Sequence, residues 1–155
     1  MAEARAGFRP ERRTPAEIVP LGEALHRVPA APVTAPHPLP GFARSTVDGY
    51  AVRAADTYGV SEGLPGYLDV TGAIRMGAEP GVTVGPGTVV SMPTGGMLPP
   101  GADAVVMVEY TQEVAAGTIE VVRPVAPGDG VVRADEDAAA GAELVPAGAR
   151  ARLRS

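Results

Sequence analysis

Turn-forming dipeptides interrupt this chain so often that only short strands fit between them. From Ser45 onward they recur as Asp48-Gly49, Glu79-Pro80-Gly81, Gly85-Pro86-Gly87, Pro99-Pro100-Gly101, Ala116-Gly117 and Pro127-Gly128. Glycine reaches backbone conformations closed to other residues, and proline fixes φ and removes a donor, so each cluster ends regular structure. Between them lie eight short, mostly β-branched segments: Tyr50–Val52, Leu68–Ala73, Val82–Val84, Thr88–Met92, Ala104–Val108, Thr118–Val122, Val131–Arg133 and Glu143–Val145. Strands at this spacing predict a closed or folded-over, mainly β architecture with short helices only. No segment leads into a long amphipathic helix, which excludes a doubly wound α/β fold. No fixed period is present, which excludes a solenoid.

The amino-terminal part reads differently. Residues 1–13, ending in Arg12-Arg13, are expected to be a flexible leader. Thr14-Pro15 resembles a helix cap followed by a first-turn proline. Glu17 to Leu21 reads alternatively as a short strand, because Pro20 would break a helix crossing it. Gly22 to Val28 offers one or two helical turns, with Leu21, Leu25 and Val28 on one face. Residues 29–41 hold five prolines, the mark of a stiff, extended connection.

Composition narrows the function classes. With 155 residues and 45% apolar content, an independent core is feasible, but two Phe, four Tyr and no Trp leave Val, Ala and Leu to build it. The absence of cysteine excludes disulfide scaffolds, thiolate zinc sites and cysteine nucleophiles. No run approaches the roughly 18 apolar residues of a membrane span, so a soluble, cytoplasmic protein with no membrane partner is expected. Every basic residue is arginine, and the net charge is −5. Residues 28–155 carry eight Arg against fourteen acids. Such an acidic body lacks the positive footprint that a phosphate backbone requires, so no nucleic-acid partner is expected.

Three loops are candidates for chemistry. Ser45-Thr46-Val47-Asp48-Gly49-Tyr50-Ala51-Val52 reads first as a hairpin, with Asp-Gly between two β-prone triplets. Its functional reading puts the Asp48 carboxylate at a loop tip, suited to a hard cation such as magnesium. In Met92-Pro93-Thr94-Gly95-Gly96-Met97, the glycines let backbone N–H groups approach an anion and Thr94 adds a hydroxyl, although a plain turn explains it equally well. It is not a P-loop, since no Gly-Lys-Ser/Thr follows. Asp135-Glu136-Asp137 reads as a solvated turn, or as carboxylates converging on Asp48. Two carboxylates about 6 Å apart repel by roughly 3 kcal/mol at an effective dielectric near 20, which a divalent ion would relieve. The histidines, His26 and His37, are isolated, and none of the four serines sits in a nucleophile elbow.

Together and in this order, the three loops resemble the MoeA/gephyrin family of molybdopterin molybdotransferases. The family pattern has a Pro-rich lead-in and Ser-x-x-Asp-Gly-Tyr-Ala-Val, matched by Leu39-Pro40-Gly41-Phe42 and Ser45 through Val52. A Thr-Gly loop, a Pro-x-Gly turn and an Ala-x-Ala/Glu-Val-Val strand follow, matched by Thr94-Gly95, Pro99-Pro100-Gly101 and Asp103-Ala104-Val105-Val106. Glu-Asp, Ala-Gly and Pro-Ala-Gly close it, matched by Glu136-Asp137, Ala140-Gly141 and Pro146-Ala147-Gly148. The resemblance runs from about Ala16 to Leu153.

It implies two β-rich subdomains with bifurcated or coiled sheets. Subdomain I would be discontinuous, residues 14–35 and 142–155, and a barrel-like subdomain II, residues 36–141, would be inserted into it. It also implies insertion of molybdate into adenylylated molybdopterin with release of AMP, assisted by Mg2+. Carried over by position, Asp48, Thr94 and Asp137 become the catalytic residues, with Asp48 and Asp137 the metal candidates. Ser45, Gly49, Gly95 and Glu136 become cofactor-binding. A homodimer, and a pterin-binding domain in the same gene or another, are the implied partners. Five residues in three places depart from the pattern: Ala43-Arg44 replaces Asp-Asn, Gly96-Met97 replaces Ala-Pro, and Asp135 replaces Gly. The sequence ends at Ser155, ahead of the family's α/β pterin domain, so the chain alone is not expected to complete the reaction. An interaction or scaffold module that keeps the fold without the chemistry is the competing reading.

Overall fold

A computed structural model describes residues 14–150. The expected leader, residues 1–13, and the last five residues lie outside them. The protein is mainly β, with ten strands and three 3-10 turns among the described residues. It divides into two compact units, Met1–Thr34 with Glu143–Ser155, and Ala35–Ala142.

In the first unit, β1 (Val33–Thr34) pairs antiparallel with β10 (Glu143–Val145). Leu21–Glu23 forms a single 3-10 turn that N–H groups of Glu23 and Ala24 close onto Pro20 and Leu21. The expected helix start at Thr14-Pro15 is not formed, nor is a strand over Glu17–Leu21. Leu21, Leu25 and Val28, read as one helical face, are all exposed, and no described residue of this unit is buried. Its ion pair, Arg27 with Glu17, joins two exposed side chains and contributes at most about 1 kcal/mol.

The second unit is built on six strands that curl into a half-barrel. They are β3 (Gly49–Val52), β4 (Gly66–Ala73), β5 (Thr88–Met92), β6 (Ala104–Met107), β7 (Thr111–Ala115) and β8 (Thr118–Val121), in the order β6-β3-β5-β4-β8-β7. Both faces of the central strands are covered. Val52, Val89 and Val106 pack into one core with Leu68, Ile119 and Val121. Their neighbours Ala51, Val90 and Val105 pack into a second core with Ile74, Val84 and Met92. Successive strand residues point to opposite faces, so the uninterrupted apolar pairs follow from double-sided burial. Each valine so buried contributes roughly 1.5–3 kcal/mol, more than the surface ion pair in the first unit.

Several sequence expectations need correction. Asp48-Gly49 does not close a hairpin: β2 (Arg44–Ser45) pairs with β9 (Val131–Val132), while β3 pairs with β5 and β6. Val82–Val84 forms no strand. It lies in the crossover joining the parallel strands β4 and β5, a connection that geometry forces to be long. Strands β1, β2 and β7 were not expected, because the first two are two-residue pairings and the third is a polar, exposed edge.

Candidate functional site at the Asp48 and Thr94 loops

Two of the three candidate loops are joined directly. The Thr94 backbone N–H and its hydroxyl both donate to Asp48 Oδ1, at 2.7 and 2.9 Å. These bonds, the backbone one first, hold the Asp48 carboxyl below its ordinary pKa, against a small opposing effect of desolvation. Both side chains are exposed, so the charge remains open to solvent and to a ligand.

Local geometry positions each partner. Pro93 to Gly96 is a tight turn closed by the Gly96 N–H onto the Pro93 carbonyl at 2.9 Å. Gly95 takes φ 82 in its third position, as a type II turn requires. That turn presents the Thr94 N–H outward to Asp48. Asp48 is held from behind, its carbonyl accepting the Val108 N–H at 3.0 Å. Gly49 is buried at the start of β3, where a Cβ would lie 1.9 Å from the Val106 carbonyl oxygen.

Ser45 ties the loops together from inside. Its hydroxyl donates to the Val47 carbonyl at 2.6 Å and accepts the Val47 N–H at 3.2 Å. Its backbone N–H donates to Gly96 and its carbonyl accepts the Gly95 N–H. The next N–H, that of Thr46, donates to Gly130 at 2.9 Å. The segment leading into the third loop therefore meets the other two through Gly130 and β9; the expected Val131–Arg133 strand marked that segment but not its partner. Its acids lie further along. Glu136 Oε2 accepts the Arg133 N–H at 2.9 Å and caps its own turn. Asp137 is tied by its backbone N–H to the Leu39 carbonyl at 2.8 Å, and its side chain is exposed. Neither acid hydrogen-bonds to Asp48 or Thr94 among the described residues. No group of three or more His, Asp or Glu side chains forms a metal cage there either.

A depression of about 370 Å³ opens beside the pair, lined by Asp48, Tyr50, Ile74, Ser91, Pro93 and Val108. Tyr50, Ile74 and Ser91 were not singled out from sequence, since ordinary strand residues carry no signal of lining a hollow. The lining joins the Asp48 carboxylate, the Tyr50 and Ser91 side chains with their hydroxyls and an apolar wall, chemistry suited to a hard cation beside a partly apolar ligand.

Comparison with known proteins gives this geometry a context. Residues 1–154 match the family described as MoeA N-terminal region, domains I and II. The chain belongs to that family. It is 40% identical over 137 residues to the molybdopterin molybdenumtransferase of Bacillus subtilis, covering 86% of this chain and 32% of that protein. It is 38% identical over 127 residues to molybdopterin molybdenumtransferase 2 of Mycobacterium tuberculosis, covering 82% and 31%. The crystal structure of the molybdopterin biosynthesis MoeA protein from Pyrococcus horikoshii OT3 superposes with a TM-score of 0.78 at 37% identity, covering 84% of this chain and 34% of that one. The chain thus spans about a third of the length of the curated relatives it matches.

Two departures from the MoeA pattern have structural explanations. At Met97, the antiparallel bridge to Arg44 runs through the N–H groups of Ser45 and Leu98, so Met97 and the usual Pro serve it equally. Asp135 has φ 60, the left-handed region where Gly is cheapest. Aspartate visits that region more readily than most residues, at a cost of about 1 kcal/mol. Nothing in the structure explains Ala43.

Proposed function

We propose that this chain contributes the Asp48–Thr94 part of a site that inserts molybdate into adenylylated molybdopterin, releasing AMP in molybdenum cofactor biosynthesis. The observation that carries the reading is the two-bond link from Thr94 to Asp48 in a member of the MoeA N-terminal family. Its relatives bear the name molybdopterin molybdenumtransferase. Magnesium suits the donor set: it keeps several waters and takes one or two carboxylates plus substrate phosphates, so it needs no cage of three acids. Asp48 would hold it, with Asp137 the second candidate, and the ion would neutralise phosphate and oxyanion charge. Thr94 keeps the Asp48 carboxylate ionised and aimed, which spares the site that reorganisation during the reaction.

The chain would act with a pterin-binding domain, in the same polypeptide or another. Mixed with such a domain, magnesium, molybdate and adenylylated molybdopterin, it is expected to release AMP in step with molybdenum insertion. No AMP release in any pairing would overturn the reading. The competing scaffold reading draws on Ala43, Arg44 and Asp135, which depart from the family pattern. Magnesium titration followed by NMR separates the two: shifts centred on Asp48 support the site, and their absence supports the scaffold.

A homodimer is part of the same proposal. In the first unit Ile18, Leu21, Leu25, Val28 and Leu144 all expose apolar side chains, and no described residue there is buried. Exposed apolar side chains gathered in one unit support an association face. Sedimentation at micromolar concentration is expected to show a dimer, and monomer alone would refute it. Among the described residues no helix is long and apolar enough to cross a membrane.

A further inference from the structure

The crossover between β4 and β5 forms a second depression, of about 340 Å³, lined by Ala73, Ile74, Arg75, Ala78, Glu79 and Val82 among others. Ile74 lines both this hollow and the one at Asp48, so the two share a lining residue. The crossover also approaches the Thr94 turn, since the Met76 methyl would lie 3.4 Å from a Cβ at Gly95. Arg75 is exposed and makes no ion pair among the described residues, not even with Glu79 in the same wall.

Charge explains why such an arginine matters. Residues Ala35–Ala142 carry five arginines against thirteen acids, a field that repels an anionic ligand approaching Asp48. A guanidinium at the edge of the site offsets that field locally. Its planar fork pairs two N–H groups with two oxygens of a phosphate-like group, a match that lysine does not reproduce. Of the other arginines in the unit, Arg123 is engaged over the Tyr110 ring at 4.6 Å. Neither Arg44, Arg53 nor Arg133 lines either hollow.

We propose that Arg75 binds a tetrahedral oxyanion in the hollow adjoining Asp48 and Thr94, and so positions the anionic end of the substrate. This deepens the molybdenum-insertion reading and rests on it. Two sources fit the chemistry, the phosphate of the adenylyl group and molybdate itself. The test titrates the isotope-labelled full chain at low salt with AMP and with sodium molybdate separately, read by NMR. Amide shifts over residues 73–82 are expected with at least one of them, and whichever arm responds names the source.

Arg75→Ala is expected to weaken that binding about 10-fold or more, the usual loss for a charged hydrogen-bonding group. Arg75→Lys should restore part of it, and Glu79→Gln should tighten it. Because Arg75 is exposed, these variants are expected to keep the wild-type melting temperature. Equal affinity in Arg75→Ala, shifts confined to other loops, or no response to either anion would overturn the proposal. The titration needs no turnover, so the two readings fail separately. A reconstituted enzyme that releases no AMP, with Arg75-dependent shifts intact, sinks the insertion reading alone. AMP release with Arg75-independent binding sinks the oxyanion site alone.

Discussion

Gly49→Ala is expected to destabilise the inserted unit by about 4 kcal/mol or more, out of a total of about 5–15 kcal/mol for an ordinary domain. A Cβ at this position would stand 1.9 Å from the Val106 carbonyl oxygen, 2.9 Å from its carbon and 3.0 Å from Met107 Cα. All three are backbone atoms of β6, which pairs with β3 in the register Gly49 to Met107 and Tyr50 to Val106. No rotamer change relieves the contact, so the strands must separate. Separation opens the doubly covered centre of the sheet, where Val52, Val89, Val90, Val105 and Val106 are buried. A thermal melt followed by circular dichroism should show a midpoint lower by on the order of 15 °C. Gly63→Ala is the control: nothing lies within 4 Å of a Cβ there, and the melt should be unchanged. A Gly49→Ala midpoint within a few degrees of wild type would contradict the register at this position. The same change also displaces Asp48, so insertion activity should fall with stability.

Asp48→Asn is expected to lower molybdenum insertion by about 100-fold or more in the reconstituted enzyme, the scale of losing one preorganised electrostatic partner. Asparagine keeps an oxygen in place of Oδ1 to accept the two Thr94 bonds, so it removes charge while retaining shape. Asp48→Ala removes both and should be at least as damaging. Since Asp48 is exposed, the fold should be unaffected, and an unchanged melt with lost turnover assigns the loss to chemistry. The pH profile gives an independent check. Thr94 lowers the folded-state pKa of Asp48, so the link is fully present above the ordinary carboxylate range and is lost as pH falls through that lowered value. Insertion attributable to Asp48 should therefore be flat from neutral pH down through pH 5 and decline only in stronger acid. Full activity in Asp48→Asn would remove the carboxylate from the mechanism.

Much of the β framework was readable from residues alone, because strand period and turn chemistry are local. Thr88–Met92 and Glu143–Val145 are strands as expected, and the glycines that bracket the latter, Gly141 and Gly148, take positive φ. The Val-Val pairs of β5 and β6 are buried, in keeping with the expectation that valine would help build the core. The order of the three loops was likewise legible, through resemblance to the family that residues 1–154 match.

Partner choice was not. Asp48-Gly49 carries the strongest local hairpin signal in the chain, yet its flanking segments pair with Val131–Val132 on one side and with β5 and β6 on the other. Strand pairing is settled by which apolar faces can be covered together, and those contacts are long-range. The same holds for the site. Residue types in the sequence named Asp48 and Thr94 as chemically capable. Only the folded backbone spans the 46 positions between them with two hydrogen bonds, while binding Asp137 to Leu39 through its main chain. It also set Arg75 in the neighbouring hollow, on the crossover that the parallel pairing of β4 and β5 requires. Local chemistry determined what each segment can be, and the register of distant strands decided which segments meet.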